Sequence, residues 1–323
     1  MIENLLFGLG QSQEGYKAIV ENGSIKILSN DYKNTINKMK LSPSFVNAWL
    51  ASPGDWAMGK LVVPEIQTEE PIYFARGTWF HKIMEEYYKL LPIERTFDSL
   101  KQTCLRVTKE DPLYSKLIKE KENKDWMNNA IKGFWKTWGE EFKNDRIAKI
   151  FLMGQQRDGL ELFVSGKIGN SSRQSLGFID RLVESEGGLK VQDWKTGKHI
   201  AEYDPNKPIS TYNPFEYNRQ QILYTMLLEQ QGLKVKSASL IFPCSEPPRE
   251  VMVDINSQKN REQVIKDIEQ VDKELTECIN NNYTFPFKSG KWNSWATFLC
   301  GMGNSRKPDN IREDKLMKIV QVK

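Results

Sequence analysis

The order of helical and β-rich segments predicts an α/β fold with a mixed central β-sheet flanked by helices. Helical patterns fill most of residues 41–148, β-rich runs dominate residues 149–195, and helix, strand and helix patterns continue to about residue 281. The chain has 323 residues, which is enough to bury a large core without disulfides. These observations are compatible with one large domain or two ordinary ones.

The first half of the chain predicts helices. One starts at residues 42–44, where a serine precedes a proline, and ends near residues 53–54. A second opens at Gly77, because apolar side chains recur after it at helical spacing. Residues 109–150 are helical and rich in aromatic side chains. The helical spacing of these side chains favours a stripe buried in the core over the alternative, a surface on which bases stack.

The second half predicts strands before further helices. Strands at about 149–153 and 160–167 precede a hairpin over residues 180–195, which turns at a Ser-Glu-Gly-Gly sequence. The later predicted elements are a helix at 217–231, strands at 237–242 and 251–254, and a helix at 260–281.

Composition and motif content narrow the function classes. Forty-six basic and 42 acidic side chains give a net charge of +4, which permits a polyanionic partner without requiring one. The four cysteines are widely separated, so neither a zinc site nor a disulfide framework is indicated. No signal peptide or membrane-spanning apolar run is recognisable, and we expect a soluble, cytoplasmic protein with no membrane partner. A Walker-type loop is also missing, so no ATP site is expected.

The predicted hairpin carries the candidate catalytic residues. Asp193 and Lys195 point to one face of a strand, while Trp194 points to the other. If Asp180 ends the partner strand, its carboxylate and that of Asp193 can share a divalent cation, and oxygen ligands of this kind suit Mg²⁺ or Mn²⁺. Lys195 would orient an attacking water or counter developing charge. The structural alternative is a surface salt bridge.

Two helices carry further candidates. His81 lies at the border of its apolar stripe, with Glu85 one turn later on the same face. Glu85 could orient the imidazole, but a solvated carboxylate and a satisfied core histidine are the alternatives. Gln220 and Tyr224 are four residues apart and share a helix face, where they could contact a base or sugar. A surface glutamine beside a half-buried tyrosine is also ordinary.

Four motifs, in this order, resemble the RecB-like nuclease domain of the PD-(D/E)xK superfamily. They are Gly77-Thr-Trp-Phe-His81, Gly177-Phe-Ile-Asp180-Arg181, Asp193-Trp-Lys195-Thr-Gly-Lys198 and Gln220-x-x-x-Tyr224. Each is degenerate alone, but together and at sensible spacing they are specific, and the match covers about residues 41–300. The resemblance implies a restriction-endonuclease-like α/β core with a helical N-terminal part.

The resemblance also implies a role for each matching residue. His81, Asp180 and Asp193 would be metal ligands, together with the main-chain carbonyl of Trp194. Lys195 would be the catalytic lysine.

Other positions would hold the nucleic acid. Gln220 and Tyr224 would bind it near the site, as in the family. Basic residues adjoining the motifs are added as candidate phosphate contacts, namely Arg181, Lys198 and Arg219.

One departure from the family concerns cysteine. Many RecB-like nucleases hold an iron–sulfur cluster with a cysteine in a Cys-Pro pair and three cysteines near the C-terminus. Here that pair is Ser52-Pro53, and only Cys300 falls in the later region, near Trp292 and Trp295. Four ligands are not supplied, so we expect no cluster and tryptophan packing in its place.

The resemblance implies a single nuclease domain at 41–300 with a helical insertion at about 95–148. An N-terminal embellishment (1–40) would precede it, and a C-terminal tail (301–323) would follow.

The expected function is a stand-alone, Mg²⁺- or Mn²⁺-dependent DNA exonuclease that hydrolyses phosphodiester bonds by metal-activated water. It would act on DNA ends or single strands in recombination, repair or turnover, and a phage-encoded enzyme is compatible with the pattern. No protein partner is indicated. An endonuclease and a nuclease of CRISPR adaptation are alternatives, because they share the same hydrolytic centre. A catalytically dead, nucleic-acid-binding fold is the alternative from another class.

Overall fold

The computed structural model describes residues 15–68, 71–152, 154–197, 214–288, 294–301 and 311–323. The helices there are α1 Asn30–Asn37, α2 Pro43–Ala51, α3 Pro53–Ala57, α4 Val63–Ile66, α5 Ile72–Tyr88, α6 Phe97–Glu110, α7 Pro112–Leu117, α8 Lys121–Phe134, α9 Glu140–Phe142, α10 Pro214–Glu229, α11 Gln258–Asn280, α12 Ser294–Cys300 and α13 Glu313–Ile319. The strands are β1 Ala18–Glu21, β2 Ser24–Ile27, β3 Lys149–Leu152, β4 Gln155–Asp158, β5 Leu160–Gly166, β6 Ser175–Ser185, β7 Gly188–Trp194, β8 Val235–Phe242, β9 Arg249–Val253, β10 Thr284–Pro286 and β11 Val320–Val322. None of these helices is both long and apolar enough to cross a membrane.

The chain divides into two compact units that each combine distant segments. The first contains the described residues of Met1–Glu70, Lys167–Ser175 and Ile265–Lys323, and the second contains those of Pro71–Gly166 and Leu176–Val264. This division differs from the expected embellishment, single domain and tail.

The first unit is built on a sheet that joins both ends of the chain. Its strand order is β10-β2-β1-β11, with β1 parallel to β11 and antiparallel to β2. Residues 18–27 and 320–322 are therefore strands of one sheet and not appendages. The sheet could not be predicted locally, because its pairing depends on segments far apart in sequence.

The serine that replaces a cluster cysteine has a structural role in the first unit. Ser52 caps α3, where its hydroxyl accepts a hydrogen bond from the Asp55 amide and donates one to the Asp55 carboxylate. Trp295 is buried, and its amide donates to the same carboxylate at 2.9 Å. Trp292 lies outside the described residues. The absence of a cluster stays a prediction.

The second unit contains the predicted mixed sheet, in the order β5-β6-β7-β8-β9. Strands β6 and β7 form the predicted antiparallel hairpin, β7 and β8 are parallel, and β8 and β9 are antiparallel. Parallel neighbours need a crossover, and α10 lies in the connection between β7 and β8. The carboxyl end of β7 is thus placed where α/β sheets commonly bind ligands.

The helices of the expected insertion pack around an aromatic core. Apolar residues of α5 to α9 form one buried cluster, and Trp194 at the end of β7 belongs to it. The Trp194 ring lies 5.6 Å from Phe134 and 6.2 Å from both Phe80 and Tyr88, between ring centroids. The aromatic stripe of residues 127–142 is buried in this cluster, so it is core and not a base-stacking surface.

Candidate functional site

A cleft of about 680 Å³ opens in the second unit where α5 lies against the end of β7. Its walls include side chains from several elements, among them Tyr73, Phe74, His81, Glu161, Lys195 and Tyr217. Helix α5 begins at Ile72, five residues before the predicted start, so Gly77 lies inside the helix. A Cβ at Gly77 would come within 3.3 Å of the Thr196 hydroxyl oxygen, so glycine permits this close approach to the segment after β7.

The hairpin brings two buried carboxylates to the end of its paired region. The last pair of β6 and β7 is Arg181 with Gln192, and Asp180 and Asp193 are the next residues beyond it on the two strands. Asp180 is 8% exposed and Asp193 is 1% exposed. The amide of Trp194 donates a 2.7 Å hydrogen bond to Asp180 Oδ2, which fixes this carboxylate at the end of β7. The charge of Asp193 acts on Asp180, and a cation shared by the two carboxylates stays a prediction.

Asp193 belongs to a closed network of three side chains. Lys195 Nζ lies 2.5 Å from Asp193 Oδ2 and donates to Gln220 Oε1 at 2.9 Å. Gln220 Nε2 in turn donates to Asp193 Oδ1 at 2.7 Å. As predicted, Asp193 and Lys195 share a face while Trp194 packs on the other side.

The network keeps Lys195 charged. Burial by itself lowers the pKa of Lys195, but the charges of Asp193 and Asp180 outweigh it, and the pKa is raised. The amine is therefore an ammonium at neutral pH. It can stabilise negative charge or orient a water by donating hydrogen bonds, but it cannot accept a proton.

His81 bridges α5 and the end of β7. Its Nε2 lies 3.0 Å from the Trp194 carbonyl oxygen, and its Nδ1 lies 3.4 Å from Asp180 Oδ2. A carbonyl only accepts, so Nε2 carries the proton. Burial is the main reason that the pKa of His81 is lowered, which favours a neutral ring. Nδ1 then presents a lone pair to a carboxylate oxygen, an arrangement that requires a cation or proton between them.

Glu161 is a third donor that the sequence did not reveal. Ligand atoms of His81, Glu161 and Asp180 all lie within 4.8 Å of one another. Burial and then the charge of Asp180 raise the pKa of Glu161 to about 7. Burial and then the charge of Asp193 raise the pKa of Asp180. One imidazole nitrogen and two crowded carboxylates are a donor set suited to a divalent cation.

The backbone at Glu161 is unusual as well. Its φ is +46°, in the left-handed region that residues other than glycine seldom adopt. Such strain is maintained only where surrounding structure holds it, and it is often found at functional sites. In the sequence, Glu161 is one charged residue in a predicted strand with no motif around it. Only the fold brings it to His81.

Tyr224 is held differently from its predicted role. Its hydroxyl lies 3.1 Å from Gln220 Nε2, and its side chain is only 5% exposed. The ring packs on Gly177, where a Cβ would lie 2.0 Å from the Tyr224 Cε1 atom. The ring has no open face for a base, so a stacking role is not supported. Tyr224 instead positions Gln220, and through it the Asp193 and Lys195 pair.

Two of the three candidate phosphate contacts are buried. Arg181 is 0% exposed, forms a 2.5 Å ion pair with Asp145 and lies 4.0 Å above the Tyr88 ring. Arg219 is 4% exposed, and its charge lowers the pKa of Glu216, which burial raises overall. A buried guanidinium cannot reach a phosphate in solvent, so both assignments were wrong. Lys198 lies outside the described residues.

Glu85 lines the cleft but does not orient His81. Its carboxylate accepts hydrogen bonds from Lys82 at 2.8 Å and from Lys89 at 2.6 Å on its own helix. The imidazole contacts Trp194 and Asp180 instead. These contacts do not support the prediction that Glu85 orients the imidazole of His81.

Comparison with known proteins gives one extensive match. The sequence profile described as the PD-(D/E)XK nuclease superfamily matches residues 40–302. No curated protein matches the chain. Among solved structures, one described as a "Putative exonuclease" from Eubacterium rectale is 15% identical, with a TM-score of 0.49. That match covers 80% of this chain and 89% of the other.

Proposed function

Because the chain belongs to the PD-(D/E)XK nuclease superfamily, we propose that it is a Mg²⁺- or Mn²⁺-dependent DNA exonuclease. The family supports a nuclease that acts on nucleic acid, and nucleases of this family generally depend on a divalent metal. The observation that carries the proposal is the convergence of the Asp193 and Lys195 pair with the donors of His81, Glu161 and Asp180, of which His81, Glu161 and Lys195 line one cleft.

The residues present fit a divalent cation. Nδ1 of His81 and the carboxylates of Glu161 and Asp180 would hold it, since the two carboxylates otherwise crowd one another. Asp193 and the Trp194 carbonyl stay proposed ligands, although Lys195, Gln220 and His81 engage them in this structure. A bound cation supplies positive charge that polarises a phosphodiester and lowers the pKa of a water molecule.

The protein's own side chains have separate tasks in the proposed reaction. Lys195 donates hydrogen bonds to the developing negative charge on the phosphate, which its raised pKa permits at neutral pH. Gln220 is hydrogen-bonded to both the Lys195 amine and the Asp193 carboxylate, and it thereby fixes their relative positions. The protonated Nε2 of His81 donates to the Trp194 carbonyl oxygen, so Nδ1 would be the nitrogen that binds the cation.

The exonuclease mode follows the resemblance to RecB-like nucleases, and roles in DNA recombination, repair or turnover follow with it. An endonuclease would use the same centre, so the geometry does not separate them. A dead fold is disfavoured, because His81, Asp180, Asp193 and Lys195 are all present and converge.

A direct test uses the purified protein with an end-labelled linear duplex, a linear single strand and a covalently closed circle. Each is incubated in Mg²⁺, Mn²⁺ or EDTA. We expect release of nucleotides from linear DNA in either metal, an intact circle, and no cleavage in EDTA. Cleavage of the circle would establish an endonuclease instead. DNA binding without cleavage in both metals would overturn the enzyme proposal.

A further inference from the structure

Helix α5 begins with two adjacent aromatic side chains that face solvent. Tyr73 is 63% exposed and Phe74 is 56% exposed, and their ring centroids lie 4.5 Å apart at an interplanar angle of 43°. Rings of this size usually contribute to a core, because burying them is strongly favourable. The pair therefore presents ring surface to solvent, on which a planar ligand can stack.

The pair borders the proposed active site. Tyr73 and Phe74 line the same cleft as His81 and Lys195. Phe74 and His81 are seven residues apart, which places them on one face of α5 and separates them by about 10 Å along the helix. A ligand that reaches the three donors from that end of the cleft must pass these rings.

Charge in the cleft argues against recognition by phosphate contacts alone. The described cleft residues include two lysines, and both are already paired with carboxylates. Lys82 contacts Glu85 and Glu86, and Lys195 contacts Asp193. Among the described residues of the cleft, the contacts that remain are to uncharged parts of the substrate, and nucleobases offer large apolar faces.

We infer that Tyr73 and Phe74 form a stacking platform for unpaired nucleobases, so that a single-stranded end is the form in which DNA engages the site. This inference rests on the proposed function. A base within a duplex has both faces covered by its neighbours, whereas an unpaired base can stack on a protein ring. At about 3.4 Å per stacked nucleotide, the platform contacts a base about three nucleotides from the phosphate at the donor cluster.

The first test compares DNA binding in EDTA, where no hydrolysis is expected. The double variant Tyr73→Ala/Phe74→Ala should bind a fluorescent single-stranded oligonucleotide about 5- to 150-fold more weakly than wild type. Binding of a blunt duplex should change less than twofold. Phe151→Ala is the matched control, because Phe151 in β3 is 70% exposed and does not line the cleft. Tyr73→Leu/Phe74→Leu keeps apolar bulk without rings, and it should lose affinity similarly.

The second test locates the stacked base. In wild type, one abasic position scanned along the strand should weaken binding most at a single site, about three nucleotides from the cleaved phosphate. The double alanine variant should be insensitive there, because both changes remove the same contact. Additive losses, or unchanged single-strand affinity in both double variants, would overturn the platform. A change of oligomeric state without loss of DNA affinity would also overturn it, in favour of a protein interface.

Failure of the platform is distinguishable from failure of the proposed function. Wild-type protein that cleaves DNA while the double variants bind single strands normally refutes only the platform. Wild-type protein that neither binds nor cleaves any nucleic acid refutes both.

Discussion

Asp180 and Asp193 lie on the two strands of a single hairpin, one residue beyond its last pair, and both are buried, yet they have opposite surroundings. Asp193 is neutralised by Lys195 and bonded by Gln220, so the chain itself completes its environment. Asp180 accepts one amide hydrogen bond but otherwise meets the imidazole of His81 and the carboxylate of Glu161.

The difference shows that, among the described residues, the half of the site around Asp180 lacks a positive counter-charge. A buried ion without a counter-ion is costly, and the raised pKa of Asp180, caused first by burial and then by Asp193, reflects that cost. The side containing Lys195 is a preassembled electrostatic group. In the proposed function, a cation would complete the side containing Asp180.

Replacing each aspartate by asparagine should shift stability in opposite directions. Asp193→Asn leaves Lys195 without its paired carboxylate and should destabilise the protein by about 3 kcal/mol, the lower end for a buried pair since the Lys195 side chain is 15% exposed. Asp180→Asn removes a crowded charge while its amide oxygen can still accept from Trp194, so it should stabilise the metal-free protein. Urea denaturation in EDTA measures both. Equal destabilisation by the two substitutions would contradict the proposed difference between Asp180 and Asp193.

Lys195→Ala should separate catalysis from metal binding. Loss of one positioned donor should lower kcat for DNA cleavage about 100- to 1,000-fold. Mn²⁺ affinity, measured by calorimetry, should be retained because the donors of His81, Glu161 and Asp180 are untouched. Lys190→Ala is the matched control on the same strand, where Lys190 pairs with Glu250, and its activity should change little. If the two variants behave alike, Lys195 has no special role.

Glu161→Gln should identify the extra donor. Its Mn²⁺ affinity should fall at least tenfold, because a carboxylate of the donor cluster is neutralised. Glu85→Gln is the appropriate comparison, since Glu85 lines the same cleft but pairs with Lys82 and Lys89. Calorimetry should show wild-type affinity for that variant. If Glu85→Gln instead lowered the Mn²⁺ affinity more than Glu161→Gln, Glu85 would be the residue that supports the metal centre.

Tyr224→Phe should have the smallest effect. It keeps the ring packed on Gly177 and removes the hydroxyl, which contacts Gln220 and the backbone of Phe178. We expect a loss of about 1 kcal/mol in the free energy of unfolding and nearly unchanged DNA affinity. A large loss of DNA affinity with full stability would show that the hydroxyl contacts the substrate directly.

Local sequence patterns predicted the hairpin and the directions of the side chains on its strands. Strand alternation placed Asp193 and Lys195 on one face and Trp194 on the other, and the structure agrees. The same rule, applied to the partner strand, puts Arg181 on the face opposite Asp180, where it is buried against Tyr88. The strand alternation that predicts a buried Arg181 was therefore present in the sequence. The position of Arg181 next to the motif suggested a phosphate contact instead.

Other features had no local signal. The sheet that contains β1 and β11 joins opposite ends of the chain, and no pattern within either strand names its partner. Glu161 looks like any strand carboxylate until the fold places it beside His81. Tyr224 and Gln220 share a helix face as predicted, but only packing on Gly177 decides that the ring is buried.

The sequence by itself determined the α/β class, the hairpin, the order of the motifs and the pairing of acid with lysine, because these depend on residue types at short separations. Tertiary structure alone decided which carboxylate already has a counter-charge, that Glu161 joins His81 and Asp180, and that Arg181 and Arg219 are interior. The physical reason is that the charge state and role of a side chain depend on burial and on neighbours brought together from distant segments.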